Sequence, residues 1–162
     1  LKQVVEELSN TFPNLKSFIT LSPVPGFTKW LEQHIKQVNN EITDSQLLSL
    51  IQSLSTMTSD ELIKHQAQLE TPIMKFAAQY FIKGKNSGGK PFDPVARFHL
   101  GNGALLKQIN WLGDTSEKGI AQSGGIMVNY LYDLPKLETN HEAFTNTNKV
   151  AVTKEITALA AQ

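Results

Sequence analysis

Residues 93–111, DPVARFHLGNGALLKQINW, set a helix, a glycine break and a strand in a fixed order, and no other segment constrains the fold as much. Asp93 is a favourable N-cap and Pro94 suits the first helical position, so a short helix is predicted to begin there. The triplet 101–103 (Gly-Asn-Gly) is typical of a helix end. The apolar residues that follow predict a mostly buried strand over 104–111.

His99 lies just before this break, between a helix end and a sheet, where glycine backbone can approach a ligand closely. Periodicity alone favours a structural role, in which His99 satisfies carbonyl groups at the helix end. Arg97 is predicted to pair with Asp93 at i, i+4. Asn102 between two glycines is typical of a turn residue with left-handed backbone, and it could also orient a substrate carbonyl.

Composition restricts the class of protein. The chain has 162 residues, which suggests one domain, and its 15 basic and 15 acidic residues leave no electrostatic footprint for nucleic acid. It has no Cys, which excludes disulfides, Cys-based zinc sites and thiol chemistry. No apolar run is long enough to span a bilayer. Leu1 falls inside an amphipathic pattern, so we expect a fragment of a longer protein.

The remaining patterns predict an α+β fold with three strands beside five or more helices. Helices are predicted over 1–9, 28–38 (ended by Asn39 and Asn40), 47–54, 58–69, 71–83 and 149–160, and strands over 17–21, 104–111 and 125–134. Residues 115–123 fit either a short helix or a loop, and residues 138–148 are predicted to form a polar loop. Val128, Tyr130 and Tyr132 are expected to share one face of the last strand.

Ser22 is a second candidate, because it lies where the strand over 17–21 ends and a rigid turn begins. The turn contains Pro23, Pro25 and Gly26. Ser22 could be a nucleophile, a hydrogen-bond donor or simply the last residue of the strand. No G-x-S-x-G elbow surrounds it, so hydrolase chemistry is weakly supported.

Two other features are interpreted as structural. His34, His65 and His141 are predicted to be solvent-facing, and no histidine pair has the spacing of a helical zinc motif, so no metal site is expected. The basic segment 83–90, KGKNSGGK, lacks the spacing of a nucleotide-binding loop, so a solvated linker is favoured over phosphate binding.

Several strings resemble the malonyl-CoA decarboxylase family. The most specific are LSPVPGFTKWL at 21–31 and FHLGNGA at 98–104. PIMKFAAQY at 72–80 and GIMVNYLY at 125–132 follow the same order and spacing. The resemblance covers nearly all of the chain.

This resemblance implies the C-terminal portion of an N-acetyltransferase-like (GNAT-type) acyl-CoA domain, with a mixed sheet, flanking helices and an inserted helical segment. It implies that residues 1–162 are a partial catalytic domain, without the upstream helical domain and the first part of the catalytic domain. The expected reaction converts malonyl-CoA to acetyl-CoA and carbon dioxide. A homo-oligomer is expected, in the cytoplasm or, in a eukaryote, in mitochondria or peroxisomes, with no nucleic-acid or membrane partner.

The family match assigns catalytic roles to Ser22, His99 and Tyr132. Ser22 and His99 would hydrogen-bond the malonyl carboxylate or carbonyl, His99 would also donate a proton directly or through water, and Tyr132 would orient the imidazole or the substrate. We expect substrate contacts from Pro25, Gly26 and Asn102. The thioester carbonyl accepts the electrons released with carbon dioxide, so neither a cofactor nor a metal is required. The alternatives are a CoA-dependent acyltransferase of the same fold and a non-catalytic acyl-CoA-binding module.

Overall fold

The computed structural model describes residues 2–38 and 42–162. In these residues the strands are β1 Phe18–Ile19, β2 Ser22–Pro23, β3 Leu105–Asn110 and β4 Met127–Tyr132. The helices are α1 Lys2–Thr11, α2 Phe27–Val38, α3 Ser45–Gln52, α4 Ser59–Lys64, α5 Gln66–Lys83, α6 Pro94–Gly101, α7 Glu117–Ser123, α8 Leu137–Thr147 and α9 Lys154–Ala161, with 3-10 turns at Leu54–Thr56 and Leu134–Lys136. The predicted helix end at Asn39 and Asn40 lies outside this part of the chain. None of the described helices is long and apolar enough to cross a membrane.

The α+β class is confirmed, and the sheet is built around β4. β3 pairs with one edge of β4, β1 and β2 pair with the other edge, and all three pairings are antiparallel. β1 and β2 share one register, since Thr20 N–H between them donates to the Tyr130 carbonyl at 3.0 Å. The predicted strand over 17–21 is therefore one interrupted strand, and Ser22 lies in its second part, opposite Val128.

One face of β4 lies against the hydrophobic core. Val128, Tyr130 and Tyr132 alternate along the strand and are all buried, as the strand pattern predicted. Helix α5 covers a large part of the core with its apolar face, from which Ile73, Ala77 and Tyr80 are almost completely buried. Side chains on this face of the sheet are consequently screened from water.

Local signals around α6 were correct. Asp93 caps the helix by accepting a hydrogen bond from Ala96 N–H, Pro94 occupies the first turn, and the helix ends at Gly101. The left-handed residue of the turn is Gly103, with φ of +85°, whereas Asn102 has φ of −92°. The expectation that Asn102 is left-handed was wrong, because the glycine beside it adopts that backbone at lower steric cost.

We expect the substitution Gly103→Ala to lower the free energy of unfolding by about 2 kcal/mol, since a Cβ there would meet the Leu137 carbonyl and oppose the positive φ. Gly101→Ala is the matched control, because its Cβ would meet only Phe144 at 3.9 Å and its backbone is helical. Urea unfolding of both variants tests this. Equal stability of the two variants would contradict it.

Two helix boundaries differ from the prediction around Pro72. The capping box of Thr58 and Glu61 is present, but the helix it starts, α4, ends at Lys64. Leu69 belongs to α5, which begins at Gln66 and contains Pro72. Proline was expected to start this helix. It lies near the N-terminal end of a long helix whose buried apolar face outweighs one missing backbone hydrogen bond.

The prediction of a polar loop over residues 138–148 was wrong, because most of this segment belongs to helix α8. Only Leu137 and Phe144 of this helix are buried, and they lie seven residues apart on one face. On the same side of α8, the Nδ1 atom of His141 lies 2.7 Å from the Gly101 carbonyl, and Asn140 donates to the Gly103 carbonyl at 3.1 Å. Helix α8 therefore holds the glycine turn that follows His99.

Candidate active site

Ser22 lies on the buried side of the sheet, at the start of the turn that leads into α2. Its side chain is 4% exposed, and its Oγ atom lies 3.3 Å from His99 Nε2. Seventy-seven residues separate the two in sequence. The structure thus brings together the two residues that the sequence resemblance singled out.

His99 is fixed by contacts on both ring nitrogens and on one ring face. Its ring stacks on Tyr130 with centroids 4.3 Å apart and planes 21° apart, and its Nδ1 atom lies 2.6 Å from Tyr132 Oη. Burial lowers the pKa of His99 below its ordinary value of 6.5, because a charged ring would lose its hydration. The imidazole is neutral at pH 7.

Tyr132 supplies the second hydrogen bond to the imidazole. Burial raises the pKa of the Tyr132 hydroxyl to about 12, so this group is protonated at pH 7. We assign the Tyr132 hydroxyl as donor to His99 Nδ1, since this arrangement satisfies both groups. The ring proton of His99 then lies on Nε2, the nitrogen next to Ser22 Oγ.

Thr20 is a member of the site that sequence reasoning missed. Its Oγ1 atom lies 2.9 Å from Ser22 Oγ and 3.3 Å from the Tyr130 amide nitrogen, from which it accepts a hydrogen bond. Thr20 could have been found from the sequence, because residues two apart on a strand lie on the same face. The connected groups are Thr20, Ser22, His99 and Tyr132, and "the hydroxyl–imidazole chain" denotes these four residues below.

The residues expected to contact substrate lie in three different places. Pro25 lines a cavity of about 180 Å³ together with Pro23 and residues of α7, and the residues that line it do not include Ser22 or His99. Gly26 packs against Tyr80, whose hydroxyl oxygen would lie 2.6 Å from a Cβ on this glycine. Asn102 donates to the Phe98 carbonyl at 2.7 Å and so closes the end of α6.

The predicted pairing of Arg97 with Asp93 was wrong. Arg97 Nη1 donates to the carbonyls of Pro91 and Phe92, both at 2.9 Å. The two carboxylate oxygens of Asp93 instead accept from Ala96 N–H at 2.8 Å and from the Tyr80 hydroxyl at 3.2 Å. Asp93 is 1% exposed, and its burial raises its pKa while these hydrogen bonds oppose the shift.

The hydroxyl–imidazole chain can perform hydrogen bonding and proton transfer in a water-poor setting. With its ring proton on Nε2, His99 faces Ser22 Oγ at 3.3 Å, and the neutral imidazole connects this contact to the Tyr132 hydroxyl. Among the described residues, no group of three or more His, Asp or Glu side chains is arranged to hold a metal ion. The chemistry that these groups support is stabilisation of developing negative charge, followed by delivery of a proton.

Comparison with known proteins gives a consistent result. The family model described as "Malonyl-CoA decarboxylase C-terminal domain" matches residues 1–162. The chain is 35% identical to the mitochondrial malonyl-CoA decarboxylase of Anser anser anser and 34% identical to that of Rattus norvegicus. Each match covers 100% of this chain and 36% of the relative, so the chain spans about a third of the length of these proteins.

Solved structures agree with the sequence comparison. The crystal structure of malonyl-CoA decarboxylase from Rhodopseudomonas palustris matches with a TM-score of 0.87 and 42% identity, covering 98% of this chain and 36% of that one. The corresponding structure from Agrobacterium vitis gives a TM-score of 0.83 and 40% identity, covering 99% and 40%. Because this family model matches residues 1–162, the chain belongs to the malonyl-CoA decarboxylase family, in the part described as the C-terminal domain.

Proposed function

We propose that this chain provides the hydroxyl–imidazole chain of an enzyme that converts malonyl-CoA to acetyl-CoA and carbon dioxide. The observation that carries the proposal is the buried contact of 3.3 Å between Ser22 Oγ and His99 Nε2 in a member of this family. The chain spans about a third of its relatives, so the activity is proposed for the complete natural polypeptide.

The first step breaks the bond between the α-carbon and the malonyl carboxylate. The electron pair moves into the thioester carbonyl and forms an enolate, while carbon dioxide leaves. The Thr20 hydroxyl donates a hydrogen bond to Ser22 Oγ. The Ser22 hydroxyl can therefore donate its own hydrogen bond to the substrate. We assign His99 Nε2–H, which lies beside Ser22 Oγ, as the second donor to the substrate oxygen. A positioned donor is worth about 3 kcal/mol where a transition state gains charge.

The second step protonates the α-carbon. His99 Nε2–H gives its proton to this carbon, and the Tyr132 hydroxyl gives its proton to Nδ1 over the 2.6 Å contact. This relay avoids an imidazolate, because the negative charge appears on Tyr132, from which solvent restores the proton. The imidazole stays neutral throughout, in agreement with its lowered pKa. The neutral ring replaces the imidazolium that a simple proton-donor role would need.

Other expectations from the resemblance stay predictions. These are the N-acetyltransferase-like fold, the homo-oligomeric state, the cytoplasmic location, and the substrate contacts of Pro25, Gly26 and Asn102. The described strands form an antiparallel sheet, whereas the resemblance led us to expect a mixed sheet.

Product analysis tests the proposed activity. The complete natural polypeptide is incubated with malonyl-CoA, and acetyl-CoA and carbon dioxide are both followed, with and without an acceptor amine. Equal amounts of both products without an acceptor are expected. Product formation that requires the amine would indicate acyl transfer, and unchanged malonyl-CoA with retained binding would indicate an acyl-CoA-binding module.

The hydroxyl of Tyr132 is expected to contribute to kcat, whereas the hydroxyl of Tyr130 is not. Tyr132→Phe removes both the hydrogen bond to His99 Nδ1 and the proton that the relay needs, and should lower kcat about 10²-fold. Tyr130→Phe is the matched control, because the buried Tyr130 hydroxyl has no hydrogen-bond partner among the described residues and the ring contact is retained. Steady-state kinetics of both variants test the assignment. Equal losses in the two variants would contradict it.

The pH dependence of kcat/KM should reflect the lowered pKa of His99. Below this pKa a proton occupies Nδ1, so Tyr132 can no longer donate there and the relay is blocked. We expect kcat/KM to fall with decreasing pH through a midpoint below 6.5 and to be level from about pH 7 to 9. The malonyl carboxylate stays ionised across this range, because ordinary carboxyl groups titrate near pH 4. An acid limb with its midpoint above 6.5 would contradict the neutral-imidazole relay.

A further inference from the structure

Ser22 and His99 belong to separate elements, so something must set the distance between β2 and α6. The two side chains meet at 3.3 Å, near the long end of a hydrogen bond, and a small relative shift of the elements would break this contact. Gly26 follows Ser22 by four residues, and Asp93 precedes His99 by six. Both positions converge on a third residue, Tyr80.

Asp93 is buried, and no Lys, Arg or His among residues 2–38 and 42–162 forms an ion pair with it. Arg97 directs its guanidinium at the Pro91 and Phe92 carbonyls. A buried carboxylate is costly to desolvate, and a serine or asparagine could cap the helix without that cost. The second carboxylate oxygen accepts from the Tyr80 hydroxyl at 3.2 Å, so the carboxylate does more than cap α6.

Tyr80 carries this contact to the turn after Ser22. Its ring is fixed between Phe27 and Phe92, with centroids 5.7 and 6.2 Å away, and its hydroxyl lies against the Gly26 backbone. Pro23 and Pro25 restrict the backbone of the turn between Ser22 and Gly26. A displacement of Gly26 should therefore also displace Ser22. On the other side, the rigid helix α6 connects Asp93 to His99.

We propose that Gly26, Tyr80 and Asp93 form a positioning bracket that fixes the distance between Ser22 and His99. Tyr80 sets how closely the turn approaches α6, Asp93 anchors the helix to Tyr80, and Gly26 is the residue that allows this close approach. The three residues act through Ser22 and His99 and are positioning residues. The inference rests on the proposed function for its kinetic readout alone.

Removal of the Tyr80 hydroxyl oxygen can distinguish a positioning role of Gly26 from a general effect on stability. In Gly26→Ala, the new Cβ lies 2.6 Å from Tyr80 Oη and must move by up to about 0.8 Å to reach ordinary contact at 3.4 Å. The next atoms, in the Phe92 ring, lie at 3.5 Å and accept the methyl group. In the double variant Gly26→Ala/Tyr80→Phe, the clashing oxygen is absent. Gly88→Ala is the control, since its Cβ would meet only Asn86 Oδ1 at 3.4 Å.

The variants are made in the complete natural polypeptide, and kcat and KM are measured with malonyl-CoA. Gly26→Ala should lower kcat about 30-fold with KM within about twofold, because a shift of less than 1 Å costs up to about 10²-fold. Tyr80→Phe should lower kcat about threefold, and the double variant should return to the Tyr80→Phe value. The bracket would be overturned if the fold-loss of kcat in the double variant equalled the product of the losses in the two single variants. It would also be overturned if Gly26→Ala and Gly88→Ala had the same kcat.

Asp93 variants test the other side and remain informative if Gly26→Ala does not fold. Asp93→Ser keeps a good N-cap but is too short to reach Tyr80, and should lower kcat about fivefold. Asp93→Asn keeps the cap and can still meet the Tyr80 hydroxyl, and should stay within about twofold of the unmodified protein. Equal kcat values for Asp93→Ser and Asp93→Asn would overturn the bracket.

A spectroscopic readout separates this inference from the proposed function. In protein labelled with ¹⁵N-histidine, the Nε2 resonance of His99 should shift in Gly26→Ala and Asp93→Ser and return in the Gly26→Ala/Tyr80→Phe and Asp93→Asn variants. That pattern in a protein without decarboxylase activity would support the bracket and overturn the proposed function. An unshifted resonance in an active decarboxylase would overturn the bracket alone.

Discussion

The substitution His99→Asn is expected to lower kcat for malonyl-CoA decarboxylation about 10³-fold, within the range for loss of a positioned acid or base. Asparagine can place an acceptor near the former Nδ1 and keep a hydrogen bond with Tyr132, but it is too short to present a donor to Ser22. Both the donor at the developing charge and the proton relay are therefore lost. Initial rates of acetyl-CoA formation measure the effect.

Two further histidine variants make this result interpretable. His99→Gln reaches the position of Nε2 with an amide donor, so we expect KM close to that of the unmodified protein and a kcat that stays about 10²-fold low, because an amide does not relay protons. His65→Asn changes a half-buried histidine that lies between α4 and α5 and contacts Gln68, far from Ser22 in sequence, and should keep full activity. Near-normal turnover of a folded His99→Asn variant would refute the role of His99.

The helix, break and strand around His99 could be predicted because each signal is local. Asp93 and Pro94 start the helix and Gly103 supplies the left-handed residue, all within a few positions of one another. The meeting of Ser22 and His99 is not local, since it depends on β2 pairing with β4 and on α6 packing over the same sheet. Periodicity alone favoured a structural role for His99. Ser22 was a candidate because of its place at a strand end, and the family resemblance then favoured catalytic roles for both residues.

The wrong predictions have a common physical origin in tertiary contacts. Helix α8 is polar in sequence, yet the packing of Leu137 and Phe144 stabilises it. Pro72 lies within α5 because the helix on either side is buried. The Arg97–Asp93 pair followed the i, i+4 rule for helix surfaces, but an N-cap side chain turns back over the first helical turn and is not available to that surface.

Thr20 and the bracket show a further limit of sequence reasoning. A threonine in a strand and a tyrosine in an apolar helix have no distinctive local pattern, and Tyr80 was predicted only as part of an apolar face. Their roles depend on one atom each, Thr20 Oγ1 beside Ser22 and Tyr80 Oη beside Asp93. The contact of Tyr80 with Asp93 becomes visible only when the packing of α5 against α6 is known, whereas the face that Thr20 shares with Ser22 follows from strand alternation.

Ser22→Ala is expected to lower kcat about 10²-fold, the effect of one donor removed from a site of developing negative charge. The variant should fold normally, because β2 pairs with β4 through backbone groups and alanine fits a strand position that is 4% exposed. Slow decarboxylation should persist, since His99 Nε2–H still reaches the substrate. Complete loss of activity in a folded variant would instead favour a covalent role for the Ser22 hydroxyl.

A double-mutant cycle decides whether Ser22 and His99 act as one unit. If the two side chains cooperate across the contact of 3.3 Å, each depends on the other for its alignment, and the combined variant should be at most about tenfold slower than His99→Asn alone. Independent contributions would multiply to a loss of about 10⁵-fold. Thr20→Val gives the matched comparison, because it removes a hydroxyl that contacts Ser22 but not His99, and its effect should vanish in the Ser22→Ala background. A Thr20 effect that persists there would show that Thr20 acts through the backbone of β4 instead of through the Ser22 hydroxyl.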